Sequence, residues 1–232
     1  MPGIRIVLCA LLVVGQQTLF AQAPRSTAPA PALQTSAPSV KTSLNALTVM
    51  LARTPSAPTA LSFAKFRVKN VLDKLVQLSA RWPAESPADY RANLDASVRA
   101  FERELSASDP AQLTAFLESL GDDLEVKLEH CTKSGGTLGG SVLVNVRTLD
   151  GDHESRNWQV FYMPKIFEAA GSTTPDRFPR LSSPTSETLV PGRYVVWGRD
   201  SANHTTERVT VKVGEGRKEL PLELLVPSGV AR

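Results

Sequence analysis

The chain has little cysteine, few aromatic residues and few histidines. Two of its 232 residues are cysteine, three are histidine, and aromatic residues make up 6 %. Cys9 lies in an apolar N-terminal stretch, which leaves Cys131 as the single cysteine of the remaining chain. One cysteine cannot form a disulfide within the chain, so burial of apolar side chains has to stabilise the fold.

Runs of basic residues are also missing. The formal net charge is only +3, from 26 basic and 23 acidic residues. Binding of nucleic acid needs a concentrated basic patch, and so does adsorption to an anionic membrane. The composition therefore predicts neither a nucleic-acid partner nor attachment to an anionic membrane surface.

The first 23 residues have the pattern of a secretory signal peptide. Arg5 precedes the apolar stretch Ile6–Val14, and Ala21-Gln22-Ala23 fits a cleavage site with small residues. The alternative is a retained membrane anchor, but Gly15-Gln16-Gln17 interrupts the apolar stretch and leaves it short for a span. We expect cleavage after Ala23, which predicts a secreted or periplasmic protein without a stable membrane span after cleavage.

The next segment, residues 24–40, is rich in proline, alanine, serine and threonine and has no apolar period. Such a composition buries too little surface to offset the entropy of ordering. It predicts a disordered linker ahead of the folded part. Residues 228–232 are predicted to be a short C-terminal tail.

Residues 41–134 show the apolar spacing of amphipathic helices, with steps of three and four. Short links that contain proline favour antiparallel neighbours, which predicts a bundle of three or four helices. The expected helices are Ser43–Arg53, Thr59–Arg81, one that Ser86 and Pro87 begin, and one that Asp109 caps and that runs through Cys131.

Residues 135–227 change to the period of two that is typical of β-strands. Six or seven short strands between turn residues predict a small antiparallel β-sandwich, so the fold class is α+β. Pro221 lacks a backbone N–H, which places the last strand at a sheet edge. The sequence leaves open whether the helical and β parts pack together or hinge at the glycines of residues 135–140.

The C-terminal strands carry a recognisable pattern. Leu189-Val190-Pro191-Gly192-Arg193-Tyr194-Val195-Val196, then Val209-Thr210-Val211, Gly214 and Leu220–Leu224, resembles carboxypeptidase-regulatory-like and PEGA-type domains. The resemblance covers about residues 138–226 and implies a transthyretin-like sandwich. Such domains are mostly noncatalytic parts of secreted and envelope proteins that contact proteins or glycans. A long insertion, Lys165–Glu187, departs from the family pattern.

That insertion is the candidate contact segment, because long loops inside compact domains are commonly functional or disordered. We predict binding through Phe167, Phe178 and Leu181 of the insertion and through the strand residues Trp158 and Trp197. The alternative for Phe178 and Leu181 is to close the end of the sandwich core. The alternative for the two tryptophans is packing inside the core.

The histidines His130, His153 and His204 are the candidates for catalysis. His130 and Cys131 are neighbours on a predicted helix, where successive side chains point about 100° apart and cannot pair as base and nucleophile. No G-x-S-x-G motif is present. We predict no catalytic residues; a histidine within hydrogen-bond reach of a serine or carboxylate in a cleft would favour a hydrolase instead.

Potential metal ligands lie in the same region, but their spacing does not match the known patterns of metal sites. A set of His130, Cys131, Asp152 and His153 matches no zinc-ligand spacing. The acidic residues around the turn at 150–154 lack the twelve-residue calcium-loop pattern. We predict no metal and no cofactor.

Together these features predict a secreted or periplasmic, noncatalytic binding or adaptor protein of the cell envelope. Contact is expected through the β-sandwich and its long loop, residues 165–187, with an envelope or extracellular protein or a polysaccharide as the partner. A carbohydrate-binding module is the second hypothesis, and a serine or metal-dependent hydrolase is the third. The identity of the partner and the oligomeric state do not follow from the sequence.

Overall fold

A computed structural model describes residues 39–83, 87–107 and 109–227. The predicted signal peptide, nearly all of the predicted linker and the predicted tail lie outside these residues. The first helix begins at Val40, which was expected to be the last residue of the linker. Within the described ranges, no helix is long and apolar enough to cross a membrane.

Four helices occupy the predicted helical region. The first and the last begin at capping side chains: Ser39 accepts a hydrogen bond from the Thr42 amide, and Asp109 accepts hydrogen bonds from the amides of Ala111 and Gln112. Their apolar faces meet in one core that includes residues of all four helices. The helices are α1 (Val40–Arg53), α2 (Thr59–Ser79), α3 (Ala88–Ala107) and α4 (Pro110–Lys133).

Two four-stranded sheets follow, as the change of period predicted. The first sheet contains β1 (Val142–Asp150), β2 (His153–Glu154), β5 (Thr185–Leu189) and β8 (Glu219–Leu225). The second sheet has the order β4 (Asp176–Arg177), β3 (Gln159–Pro164), β6 (Gly192–Arg199) and β7 (Val209–Val213). The inner faces of the two sheets share an apolar core, which makes the β part a sandwich.

Most strand pairs are antiparallel, but β8 runs parallel to β1. The chain crosses from the second sheet to the first between Val213 and Glu219, so β8 does not form a hairpin with β7. The predicted antiparallel sandwich thus contains one parallel pair. Strand β8 pairs with β1 alone among the described strands, which agrees with the edge position that Pro221 predicted.

The helical and β parts pack against each other within one compact unit, so the open question of a hinge is answered. Helix α4 lies against β6, and a buried ion pair joins them. Lys127 Nζ lies 2.6 Å from Asp123 Oδ2 and donates to the Pro191 carbonyl at 2.8 Å, while Asp123 Oδ1 accepts from the Arg193 amide at 3.2 Å. Gly192 is needed at this point, because a Cβ there would collide with the Asp123 carboxylate.

The long insertion also contributes to the junction. It contains a short helix, α5 (Lys165–Ala169), directly after β3. Ile166 is buried in the helical core, and Phe167 and Ala170 pack at its border. The first third of the insertion is therefore fixed to the helices, and it leads the chain past the outer face of the second sheet.

Candidate functional site

The five predicted binding residues do not form one exposed surface. Phe178 is fully buried in the sandwich core, and Trp158 and Trp197 are 3 % and 6 % exposed. Because Phe178 and Trp158 are buried, they pack inside the protein, which was the alternative to binding for both residues. Phe167 is half-buried, and Leu181 is 72 % exposed. These five residues therefore do not define the candidate site.

Trp197 differs from Trp158 because it lies on the outer face of the second sheet. In β6 the residues Tyr194 and Val196 point into the sandwich core, so the alternation of a strand directs Trp197 outward. Phe161 of β3 is paired with Trp197 in the strand register. The two rings are stacked, with centroids 6.0 Å apart and planes inclined by 19°.

Two arginines cover these rings. The guanidinium carbon of Arg208 lies 4.4 Å from the centroid of Trp197, and that of Arg199 lies 5.1 Å from the centroid of Phe161. Both distances are within the range of cation–π attraction. We call Phe161, Trp197, Arg199 and Arg208 the arginine–aromatic face. Trp197 is buried largely because Arg208 and the neighbouring insertion lie over it.

The insertion borders this face and forms a shallow cavity with it. The cavity has a volume of about 370 Å³, and three hydroxyl side chains contribute to its wall. It is lined by Met163, Glu168, Ser172, Thr173, Pro175, Trp197, Arg199, Thr205 and Arg208. The insertion and the sheet thus meet at one site, and of the five predicted residues only Trp197 lines it.

The charges of the site are unbalanced. Arg208 pairs with Glu168 at 3.1 Å, and both side chains are partly exposed. In the described part of the chain, Arg199 makes no ion pair, and neither does Arg177, which is paired with Phe161 in the strand register. Of these three arginines only Arg208 has a carboxylate partner among the described residues, which makes the site attractive to anions.

Sequence reasoning missed Phe161, Arg199 and Arg208. The signal was present in the alternation of β3 and β6, since Phe161 and Arg199 occupy the positions that do not face the core. The pairing of the two strands could not be derived, because the insertion separates them and leaves the register open. Arg208 follows an irregular segment and carries no periodic signal.

A second polar cleft lies at the end of the sandwich that holds His153 and His204. It has a volume of about 630 Å³. His204 Nδ1 lies 2.8 Å from Asp200 Oδ2. The carboxylate of Asp200 also accepts the amides of Ala202 and His204, and its hydrogen bond with the His204 ring lowers the pKa of Asp200. A histidine paired with a carboxylate in a cleft is the arrangement that the hydrolase hypothesis required.

The remaining parts of that hypothesis are not assembled there. Among the described residues, no serine hydroxyl or cysteine thiol is hydrogen-bonded to His153 or His204. The search of the same residues finds no group of three or more histidine, cysteine, aspartate or glutamate side chains that could hold a metal ion. The Asp200–His204 pair closes its own turn, and this local role accounts for its geometry.

His130 and Cys131, the other candidates, lie at the junction of the two parts. Cys131 is fully buried, and burial raises the pKa of its thiol. His130 Nδ1 accepts the amide of Gly216 at 3.2 Å, and its ring packs directly against Gly139. Both residues therefore serve packing at the end of α4, as the sequence interpretation of Cys131 suggested.

A further exposed feature lies on α2. Phe63 and Phe66 are 71 % and 64 % exposed, one turn apart on the helix. Beside Phe63 lies a groove of about 540 Å³ between α2, α4 and α5. Both residues lie outside the apolar stripe of α2. Their positions in the sequence therefore indicated exposure, but the sequence analysis did not single them out.

No protein-family model matches the chain, and no curated protein matches it significantly. The resemblance to carboxypeptidase-regulatory-like and PEGA-type domains therefore remains a prediction that depends on the strand motifs. The function has to be argued from the surface itself.

Proposed function

We propose that this protein is a noncatalytic binding protein of the cell envelope or extracellular space, and that the arginine–aromatic face and the insertion beside it make the contact. The observation that carries the proposal is the stacked pair Phe161 and Trp197 under the guanidinium groups of Arg199 and Arg208. Arginine and tryptophan are the residue types that contribute most to binding energy in interfaces.

The position of this face supports a role in binding. The outward side of a strand in a sandwich is ordinarily polar, because it contributes nothing to the core. Here it carries two large rings and an excess of guanidinium groups over carboxylates. The core of the sandwich is a separate cluster on the inner side of the sheet, so these rings lie outside it.

The site is also held in place. Phe161 and Trp197 lie on central strands of the second sheet, and the insertion is fixed by Ile166 in the helical core. A site whose groups are already oriented loses little conformational entropy on binding, which raises affinity. The envelope or extracellular location is carried over from the predicted signal peptide.

The proposal is tested by affinity capture with the immobilised protein, using culture medium and envelope extract of the source organism. The test variant carries Arg199→Met and Arg208→Met, because methionine keeps apolar cover over the rings while it removes both charges. The matched control is Arg147→Met, which removes an exposed arginine of the first sheet that pairs with Glu223.

We expect the unchanged protein and the Arg147→Met control to retain the same component, and the double variant to lose at least about 90 % of it, a tenfold loss of affinity. Circular dichroism and thermal unfolding establish that the double variant is folded. Retention of the same components by the folded double variant would overturn the assignment of the site.

Hydrolysis is a second candidate, because the Asp200–His204 pair lies in the cleft with His153. In that function His204 acts as the general base and Asp200 fixes its orientation. Assays against a panel of ester, amide and glycoside substrates would support it if His204→Asn removed the turnover. Turnover that is absent, or equal in His204→Asn, would exclude this role for the cleft.

A further inference from the structure

We propose that the ligand of the arginine–aromatic face is an acidic polysaccharide whose uronic-acid carboxylates bind Arg199 and Arg208. This inference depends on the proposed binding function and specifies its ligand. It rests on three features of the site: available guanidinium groups, aromatic rings that hold them, and hydroxyl side chains without partners.

The guanidinium groups provide the recognition of a carboxylate. The planar fork of an arginine matches the two oxygens of a carboxylate, and such pairs are among the stronger hydrogen-bonded contacts. Arg199 makes no ion pair among the described residues. Within the described ranges Arg208 is paired with Glu168 alone, at 3.1 Å, and the exposure of that pair allows a carboxylate of the ligand to replace or join Glu168.

The rings act as supports for the arginines. Because the guanidinium groups lie over Trp197 and Phe161 at 4.4 and 5.1 Å, the rings restrict the freedom of the two arginine side chains. An arginine on a sheet surface otherwise loses considerable side-chain entropy when it binds. The stacked rings therefore lower the entropic cost of binding an anion at this face.

The hydroxyl groups favour a sugar over an acidic peptide. Ser172, Thr173 and Thr205 line the cavity, and none of their hydroxyls has a hydrogen-bond partner among the described residues. Hydroxyls both donate and accept, so they match the hydroxyls of a pyranose ring, whereas the side chains of an acidic peptide offer mainly acceptors. Carboxylates and hydroxyls occur together on uronic-acid residues.

The inference is tested by calorimetric titration of the full chain with oligogalacturonate at low ionic strength. The fully methyl-esterified oligomer serves as the neutral ligand with the same rings. Polyglutamate provides the same charge without hydroxyls, and oligo-dT provides a polyanion with bases. We expect oligogalacturonate to bind about tenfold more tightly than each of the other three, and less tightly as salt is added.

Single variants test whether each contact strengthens or weakens binding. Arg199→Met and Arg208→Met are each expected to weaken binding of oligogalacturonate about tenfold, while Arg147→Met leaves it unchanged. Glu168→Gln is expected to strengthen binding, because it removes the carboxylate that competes for Arg208. A purely structural role of Arg208 would not produce that gain.

The outcomes separate this inference from the proposed function. If oligogalacturonate fails to bind, or binds no better than its methyl ester, the acidic-glycan inference is overturned, while loss of a captured component in the double arginine variant would still support the binding function. Equal binding of polyglutamate or oligo-dT would also overturn it, in favour of an acidic peptide or a nucleic acid. If capture also fails to depend on the arginines, both proposals are overturned.

Discussion

His130 is a single residue that contacts two separate loops beyond its own helix. It is 3 % exposed, it accepts a hydrogen bond from Gly216, and its ring lies against Gly139. A side chain at position 139 would collide with the ring, and its backbone has a φ of +68°, so both space and conformation require glycine there. Burial lowers the pKa of His130, with a smaller opposing effect from the backbone of Gly140.

This environment predicts a loss of stability on mild acidification. Because the pKa of His130 is lower in the folded state, the unfolded chain takes up a proton first as the pH falls below about 6.5. The contribution to stability is complete above that pH and decreases below it, by at most about 1.4 kcal/mol per pH unit. Urea unfolding at pH 7.5 and at pH 5.5 measures this loss of stability.

The control for this prediction is His130→Asn, which retains an acceptor for the Gly216 amide but does not titrate. Glu129 stays ionised over this range, because Lys133 and Lys212 lower its pKa to about 2. We expect a smaller loss of stability between pH 7.5 and 5.5 in His130→Asn than in the unchanged protein. An equal loss would mean that other groups cause the acid sensitivity.

At the residue scale, the sequence indicated packing for Cys131 and gave no partner for His130. The helical period alone placed Cys131 on the apolar stripe of α4. The contacts of His130 come from residues 139 and 216, which lie in turns beyond the helix. Pattern reasoning along the chain cannot bring such distant turns together.

Among the elements, α4 connects the helical part to the sandwich. Its buried pair Asp123–Lys127, 4 % and 1 % exposed, is completed by the Pro191 carbonyl just before β6 and by the Arg193 amide within β6. A buried charge that loses its partner is strongly destabilising. Substitutions in this pair therefore measure how much the junction contributes to the stability of the protein.

We expect Lys127→Met to lower the free energy of unfolding by about 3–5 kcal/mol, because it leaves the Asp123 carboxylate buried without its cation. The double variant Asp123→Leu/Lys127→Met should be more stable than the sum of the single changes by about 1–3 kcal/mol. Urea denaturation of the four proteins provides the values.

The chain offers a matched control on α2. Lys69 and Asp73 have the same spacing and the same 2.6 Å distance, but both are exposed. Lys69→Met should therefore change stability by less than about 1 kcal/mol. A comparable effect of Lys69→Met and Lys127→Met would contradict the account of a buried junction.

The elements themselves were largely predictable. Asp109 and Pro110 correctly marked the start of α4, and Pro221 correctly indicated an edge strand. The parallel pairing of β8 with β1 was not predictable, because alternation gives the faces of a strand and not its neighbours. Helix α5 was also missed, since five residues are too few to display a helical period.

For the whole molecule, the shared junction predicts that the helical and β parts unfold together. Trp82 belongs to the helical core, and Trp158 and Trp197 belong to the sandwich. In a Trp82→Phe variant, fluorescence reports on the sandwich, while far-ultraviolet circular dichroism reports mainly on the helices. We expect the two signals to give the same midpoint in urea.

Separate transitions would mean that the buried ion pair and α5 do not couple the two parts. The Asp123→Leu/Lys127→Met variant provides a control, because a weakened junction should move the two midpoints apart before either part loses its own core. The sequence could not decide this point, since the glycines at residues 135–140 are compatible with a hinge as well as with a tight joint.

The central claim is that the arginine–aromatic face binds an acidic polysaccharide, and nuclear magnetic resonance tests it most directly. Titration of the ¹⁵N-labelled protein with oligogalacturonate should shift the Trp197 indole, the amides of Phe161, Arg199 and Arg208, and those of residues 172–174. The same titration of the Arg199→Met/Arg208→Met variant should leave these signals in place. Shifts concentrated instead at His153 and His204, or no shifts at all, would contradict the account.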